Sequence, residues 1–122
     1  MKKVLVVENE LSYIKLLRAQ LVKNGYEVFE DIDGQKGLEK AKLELPDLVL
    51  LDIRMPVMSG ISMLDEMRKS EWGKLVKVII LTNLEPDDKI LQSVLLDKPD
   101  LYLVKSDIQL SDLIDKIKDI LD

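Results

Sequence analysis

The sequence predicts an α/β fold of five parallel strands alternating with five helices, and three observations lead there. Val4–Val7, Leu48–Leu51, Val78–Leu81 and Leu101–Val104 are short, continuously apolar runs, as expected of strands covered on both faces. Helix-spaced apolar stretches separate these runs, which implies right-handed crossovers with helices on both sides of a sheet. Each of the four runs also ends on a reactive polar group: Glu8-Asn9-Glu10, Asp52, Thr82-Asn83 and Lys105. If the strands lie parallel, those groups meet at one end of the sheet.

In chain order, Val4–Val7 is the first strand. Leu11, Ile14, Leu17 and Leu21 then recur at helical spacing, and Asn24-Gly25 supplies a C-terminal stop. Tyr26–Phe29 reads as a second strand, more polar and therefore at an edge. A shorter helix around Gly37–Ala41 must end before Pro46, because proline disfavours helical geometry in the residue preceding it. Asp47–Leu51 is the third strand. Ile61, Leu64 and Met67 give the next helix its apolar face, with Trp72-Gly73 near its end. Lys77–Leu81 is the fourth strand.

Pro86-Asp87-Asp88 reads as a helix start, with proline tolerated in the first turn and acids favoured at the positive end of the dipole. That helix runs through Ile90, Leu91, Val94 and Leu95 until Pro99. Leu101–Val104 is the fifth strand, and Leu110, Leu113, Ile114, Ile117, Ile120 and Leu121 form the clearest amphipathic stripe of the chain. The expected strand order is 2-1-3-4-5. The first and third strands carry acids at their ends and should flank the topological switch point, where such sheets bind ligands.

Composition narrows the function. A chain of 122 residues, 47% hydrophobic and 34% charged, suits one globular domain spanning residues 1–122. A formal net charge of −5 with no visible basic patch argues against direct nucleic-acid binding. With neither cysteine nor histidine present, disulfides, thiol nucleophiles, His-assisted serine triads and His-ligated zinc are all excluded. The apolar run after Met1-Lys2-Lys3 stops at Glu8, too short for a signal peptide, and no stretch is long enough to span a membrane. A cytoplasmic protein is the expectation.

Glu8, Asn9 and Asp52 would supply oxygen ligands from two neighbouring strand ends. Few, hard oxygen donors suit Mg²⁺, which keeps several waters and uses one or two carboxylates plus a phosphate. A carboxylate beside such a cation can act as a nucleophile toward phosphorus. Lys105 is placed to pair with Asp52 and then with a phosphoryl oxygen, and Thr82 to hydrogen-bond that oxygen. Taken singly, each residue has a plainer role: Asp52 as a turn residue, Asn9 as a cap, Thr82 and Tyr102 as strand residues, Lys105 as a solvated charge. The joint arrangement favours a site.

The segments Val4–Glu10, Asp52-Ile53-Arg54-Met55-Pro56-Val57-Met58-Ser59-Gly60, Leu81-Thr82 and Tyr102–Lys105 resemble the receiver domains of two-component response regulators. The resemblance covers essentially the full length and is most specific over Asp52–Gly60. It implies a flavodoxin-like (βα)5 three-layer sandwich, and receivers share the 2-1-3-4-5 order, so that order is not an independent inference. It also implies Asp52 as phosphoacceptor, Glu8 and Asn9 as the metal-binding pair, and Arg54 as a backbone-carbonyl ligand. Thr82 and Tyr102 take the switch positions and Lys105 the phosphate-pairing one. Such domains catalyse their own phosphorylation and dephosphorylation.

The implied donor is a phosphohistidine on a sensor histidine kinase or phosphotransfer protein, and the output partner is another protein. The chain would be a monomer or a phosphorylation-linked dimer. With no output segment after Asp122, action through partners is expected. Three positions depart from the family pattern. Asn9 replaces the usual Asp, which should weaken Mg²⁺ binding. Asn83 follows Thr82 where a small residue is common, and Ser106 follows Lys105 where proline is frequent. The alternative reading is a pseudo-receiver, a protein-binding module of the same fold that no longer takes phosphate.

Overall fold

The apolar runs become central strands because every side chain on them must be covered, whichever face it points to. The computed structural model describes residues 1–122. In order the elements are β1 (Lys3–Val7), α1 (Leu11–Lys23), β2 (Glu27–Asp31), α2 (Gly34–Glu44), β3 (Leu48–Leu51), α3 (Gly60–Lys69), β4 (Lys77–Thr82), α4 (Asp88–Asp97), β5 (Leu101–Val104) and α5 (Leu110–Leu121). The strands form one parallel sheet in the order β2-β1-β3-β4-β5, as expected.

Strand alternation divides the core into two layers. Val4, Val6, Leu48, Leu50, Ile79 and Leu81 face α1 and α5, where Ile14, Leu17, Leu21, Leu113, Ile114, Ile117 and Leu121 close the layer. Leu5, Val7, Val49, Leu51, Val78 and Ile80 face α2, α3 and α4, meeting Ala41, Met63, Leu64, Met67 and Val94. Burial of a side chain of this size is worth about 1.5–3 kcal/mol.

Boundaries shift where backbone chemistry overrides the apolar pattern. The second strand starts one residue later and ends two residues later than its apolar stretch, because pairing with β1 runs from Glu27 to Asp31. Of the four apolar positions at helical spacing in α1, Ile14, Leu17 and Leu21 are buried, whereas Leu11, the first helical residue, is 64% exposed. Trp72-Gly73 lies not in α3 but in a separate 3-10 turn after it. Pro86 precedes α4 instead of opening it: Asp87 is the N-cap, its carboxylate accepting from the Ile90 N–H at 2.8 Å.

On α4, Leu91 and Leu95 belong to the apolar positions that marked the helix in the sequence. They are exposed, as is Leu96, and only Val94 of that helix is buried. The helices before Pro46 and Pro99 do stop in time. Leu45 and Lys98 take left-handed conformations there, each closing a backbone hydrogen bond to the last helical turn.

Candidate functional site

Burying a polar group costs free energy unless it is satisfied. The buried polar residues of this chain are Glu8 (3% exposed), Asp33 (7%), Asp52 (7%) and Thr82 (1%). Asp33 has a local purpose, capping α2 through the Lys36 N–H at 2.7 Å. The other three stand at the carboxyl ends of β1, β3 and β4.

Register brings them together. Val7 pairs with Leu51, and the Asp52 N–H donates to the Val7 carbonyl at 3.0 Å, so Glu8 and Asp52 leave adjacent strands side by side. Thr82 pairs with Val104, which puts Lys105 just past the same edge. The Lys105 side chain crosses back over the strand ends. Its Nζ donates to Glu8 Oε1 and, at 3.2 Å, to Asp52 Oδ2, with the lysine side chain only 7% exposed. The remaining oxygens are also used: Glu8 Oε2 accepts the Glu10 N–H at 2.9 Å and Asp52 Oδ1 the Ile53 N–H at 2.7 Å.

Electrostatically the notch holds two carboxylates and one ammonium. Burial works against the charged form of Lys105. The hydrogen bond to Glu8 and the charge of Asp52 more than offset that, and the ammonium is held above its ordinary range. It stays protonated throughout the physiological range.

Thr82 Oγ1 accepts the Leu84 N–H at 3.3 Å, leaving its own proton free to donate elsewhere. Tyr102, half-buried on β5, donates its hydroxyl to the Leu84 carbonyl at 2.6 Å. The backbone of one residue in the β4–α4 connection, Leu84, is thereby tied to both side chains. Sequence reasoning singled out Thr82 and Tyr102 but missed Leu84, because its role is carried by backbone and leaves no mark on side-chain identity. It also missed Tyr13, whose ring lies 4.5 Å from Lys105 Nζ.

Asn9 is exposed at the rim, and Arg54 projects its side chain into solvent. The Arg54 carbonyl accepts no backbone hydrogen bond. The groups that could hold a cation are the Glu8 and Asp52 carboxylates, with the Asn9 amide oxygen and the Arg54 carbonyl close to them in the chain. No group of three or more His, Cys, Asp or Glu side chains forms a cage. Such a set suits a hard, largely hydrated ion completed by a phosphate oxygen, and suits zinc or a caged calcium poorly. Every peptide bond is trans, including Lys105–Ser106.

A doubly wound parallel sheet with a lysine-bridged carboxylate pair at its switch point defines an α/β domain of the open-sheet class. Comparison with known proteins narrows the class. The family model described as the response regulator receiver domain matches residues 4–118, and the chain belongs to that family. It is 37% identical over 106 residues to the chemotaxis protein CheY of Treponema pallidum (strain Nichols), spanning 84% of this chain and 72% of that protein.

It is also 36% identical over 91 residues to the alkaline phosphatase synthesis transcriptional regulatory protein PhoP of Bacillus subtilis (strain 168). That match takes in 74% of this chain but 37% of PhoP, so the chain spans about a third of that relative's length. Among solved structures, a CheY-like receiver domain protein from Methanospirillum hungatei JF-1 superposes with a TM-score of 0.91 at 29% identity, covering 100% of this chain and 94% of that one. No helix is long and apolar enough to cross a membrane.

Proposed function

We propose that this chain is a phosphorylation-dependent signalling switch, accepting a phosphoryl group on Asp52 and changing a protein-binding surface in response. The observation that carries this reading is the Lys105 ammonium held between the buried Glu8 and Asp52 carboxylates. A structural ion pair needs one acid, and a second buried carboxylate beside it carries a desolvation cost of several kcal/mol, the kind of cost that clusters at functional sites.

In the proposed reaction an Asp52 oxygen attacks phosphorus as the P–N bond of a donor phosphohistidine breaks. The imidazole leaves and an acyl phosphate remains. Glu8, Asp52, the Asn9 amide oxygen and the Arg54 carbonyl would hold Mg²⁺, which when bound neutralises charge on the transferring group. Lys105 shifts its ammonium from Glu8 to a phosphoryl oxygen. Thr82 donates its free proton to another.

As Thr82 turns, its oxygen leaves the Leu84 N–H, and the connection that also holds the Tyr102 hydroxyl is released. The face formed by α4, β5 and α5 repacks as a shift between two pre-existing states. The donor is a sensor histidine kinase or phosphotransfer protein, and the reader of the face is an output protein.

Incubation with a small-molecule phosphodonor and Mg²⁺ should add one phosphoryl mass, and Asp52→Asn should abolish the gain. Asn9 supports a second reading, the phosphorylation-independent binding module, because one full negative charge is missing from the rim. A folded protein that gains no mass, with Asn9→Asp leaving Mg²⁺ affinity unchanged, would select that second reading.

A further inference from the structure

The Lys105 ammonium carries three N–H bonds, and two are accounted for by Glu8 and Asp52. No third oxygen of the chain lies within hydrogen-bond distance, although the side chain is only 7% exposed. What occupies that side is the ring of Tyr13, 4.5 Å from Nζ to its centroid, well inside the range of a cation–π contact. Tyr13 belongs to the first turn of α1 and packs against the α1/α5 core layer, so helix and core fix the ring independently of the lysine.

We propose that Tyr13 is the positioning residue of the site, its ring face holding the Lys105 ammonium over the Asp52 carboxylate. The inference rests on the phosphoryl-accepting reading above. An aromatic face suits the task better than a third oxygen ligand. It stabilises the partly desolvated ammonium yet adds no formal charge to oppose an incoming phosphoryl group. It is also non-directional enough to let Nζ swing from Glu8 to a phosphoryl oxygen while keeping contact. An aliphatic side chain at position 13 would leave one N–H facing hydrocarbon, and the ammonium would turn toward water.

The phenol hydroxyl has no part in this, which separates the ring from the rest of the residue. Tyr13→Phe keeps the ring; Tyr13→Leu keeps comparable apolar bulk without it. Two readouts are needed: the rate of Asp52 phosphorylation by a small-molecule phosphodonor with Mg²⁺, and the acetylation of Lys105 by brief exposure to N-hydroxysuccinimide acetate. The second is followed by peptide mass spectrometry against exposed Lys116 as internal reference.

Tyr13→Phe should stay within about twofold of wild type in both. Tyr13→Leu should phosphorylate roughly fivefold more slowly, about 1 kcal/mol, and its Lys105 should acetylate several-fold faster. Wild-type behaviour of Tyr13→Leu in both readouts overturns the proposal, as does a Tyr13→Phe variant impaired as badly as Tyr13→Leu. If wild type takes no phosphate, the switch reading fails. The acetylation arm still decides the role of Tyr13.

Discussion

Lys105 holds the site together at the cost of its own desolvation, and that balance has a measurable sign. Without the ammonium, Glu8 and Asp52 would be two carboxylates buried next to each other, both disfavoured in their charged forms. Burial already pushes the Glu8 carboxyl above its ordinary value with the lysine present. In Lys105→Met the Glu8 carboxyl, already raised by burial, should rise further above its unfolded-chain value. A raised acid contributes stability below its unfolded value, near pH 4, and loses it as pH climbs through the folded value. The variant should therefore lose about 3 kcal/mol at pH ~7 and markedly less at pH ~4. Urea unfolding of both proteins at the two pH values checks this, and an equal loss at each would contradict it. Of the site residues, Glu8, Asp52, Thr82 and Lys105 were legible because each closes an apolar run, and parallel pairing must bring such ends together. Tyr13 and Leu84 were not legible. One acts through a ring that reads as core packing at helical spacing, the other through its backbone N–H and carbonyl.

Two elements carry strain or repulsion that the rest of the fold tolerates. The connection from Asp52 to α3 turns at Val57, an 83%-exposed β-branched residue with φ of 69°, where the Met58 N–H reaches back to the Pro56 carbonyl at 2.8 Å. Such a tight three-residue turn is uncomfortable for valine. Gly60, which opens α3, has no such freedom to change, since a Cβ there would stand 2.0 Å from the Asp52 carbonyl. Val57→Gly should relieve the turn by more than it adds to unfolded-chain entropy. A net gain of about 0.5–1 kcal/mol in thermal or urea unfolding is expected, and a loss would contradict it. At the C-terminal end of α4, Asp97 faces the negative pole of its own helix and the like charge of Asp65. Burial first, and Asp65 second, raise its carboxyl above the ordinary range. By the same sign rule its ionisation lowers stability once pH passes that value. Asp97→Asn should stabilise by roughly 0.3–0.5 kcal/mol at pH ~7, discounted for solvent access, and by nothing near pH ~3. A gain that persists at the lower pH would point to some other cause. Helix α4 as a whole buries only Val94: Leu91 and Leu95, which marked the helix in the sequence, are exposed. Periodicity reports that a face is apolar. It does not report whether the fold or a partner covers it.

At the scale of the molecule, the sheet order and two-layer core follow from local signals that agree with one another: continuous apolar strands, helical stripes between them, and proline at the exits of two helices. The helix bounds and the outward face of α4 lay beyond those signals, because capping geometry and the reach of the sheet decide them. The same topology that makes the core also gathers Glu8, Asp52, Thr82 and Lys105 at one end, so fold and site are one consequence of parallel pairing. The proposed switch uses this by placing the reacting carboxylate at the centre of the sheet and its reporters, Thr82 and Tyr102, on the strands that lead to α4 and α5. The most direct test is to trap the modification where it forms. Borohydride reduces an acyl phosphate at its carbonyl carbon and expels phosphate, marking the residue that carried it. After treatment with phosphodonor and Mg²⁺, peptide mapping should find the reduced residue at position 52 alone. Reduction at Glu8 or another acid, or none in a protein that remains folded, would contradict Asp52 as the acceptor.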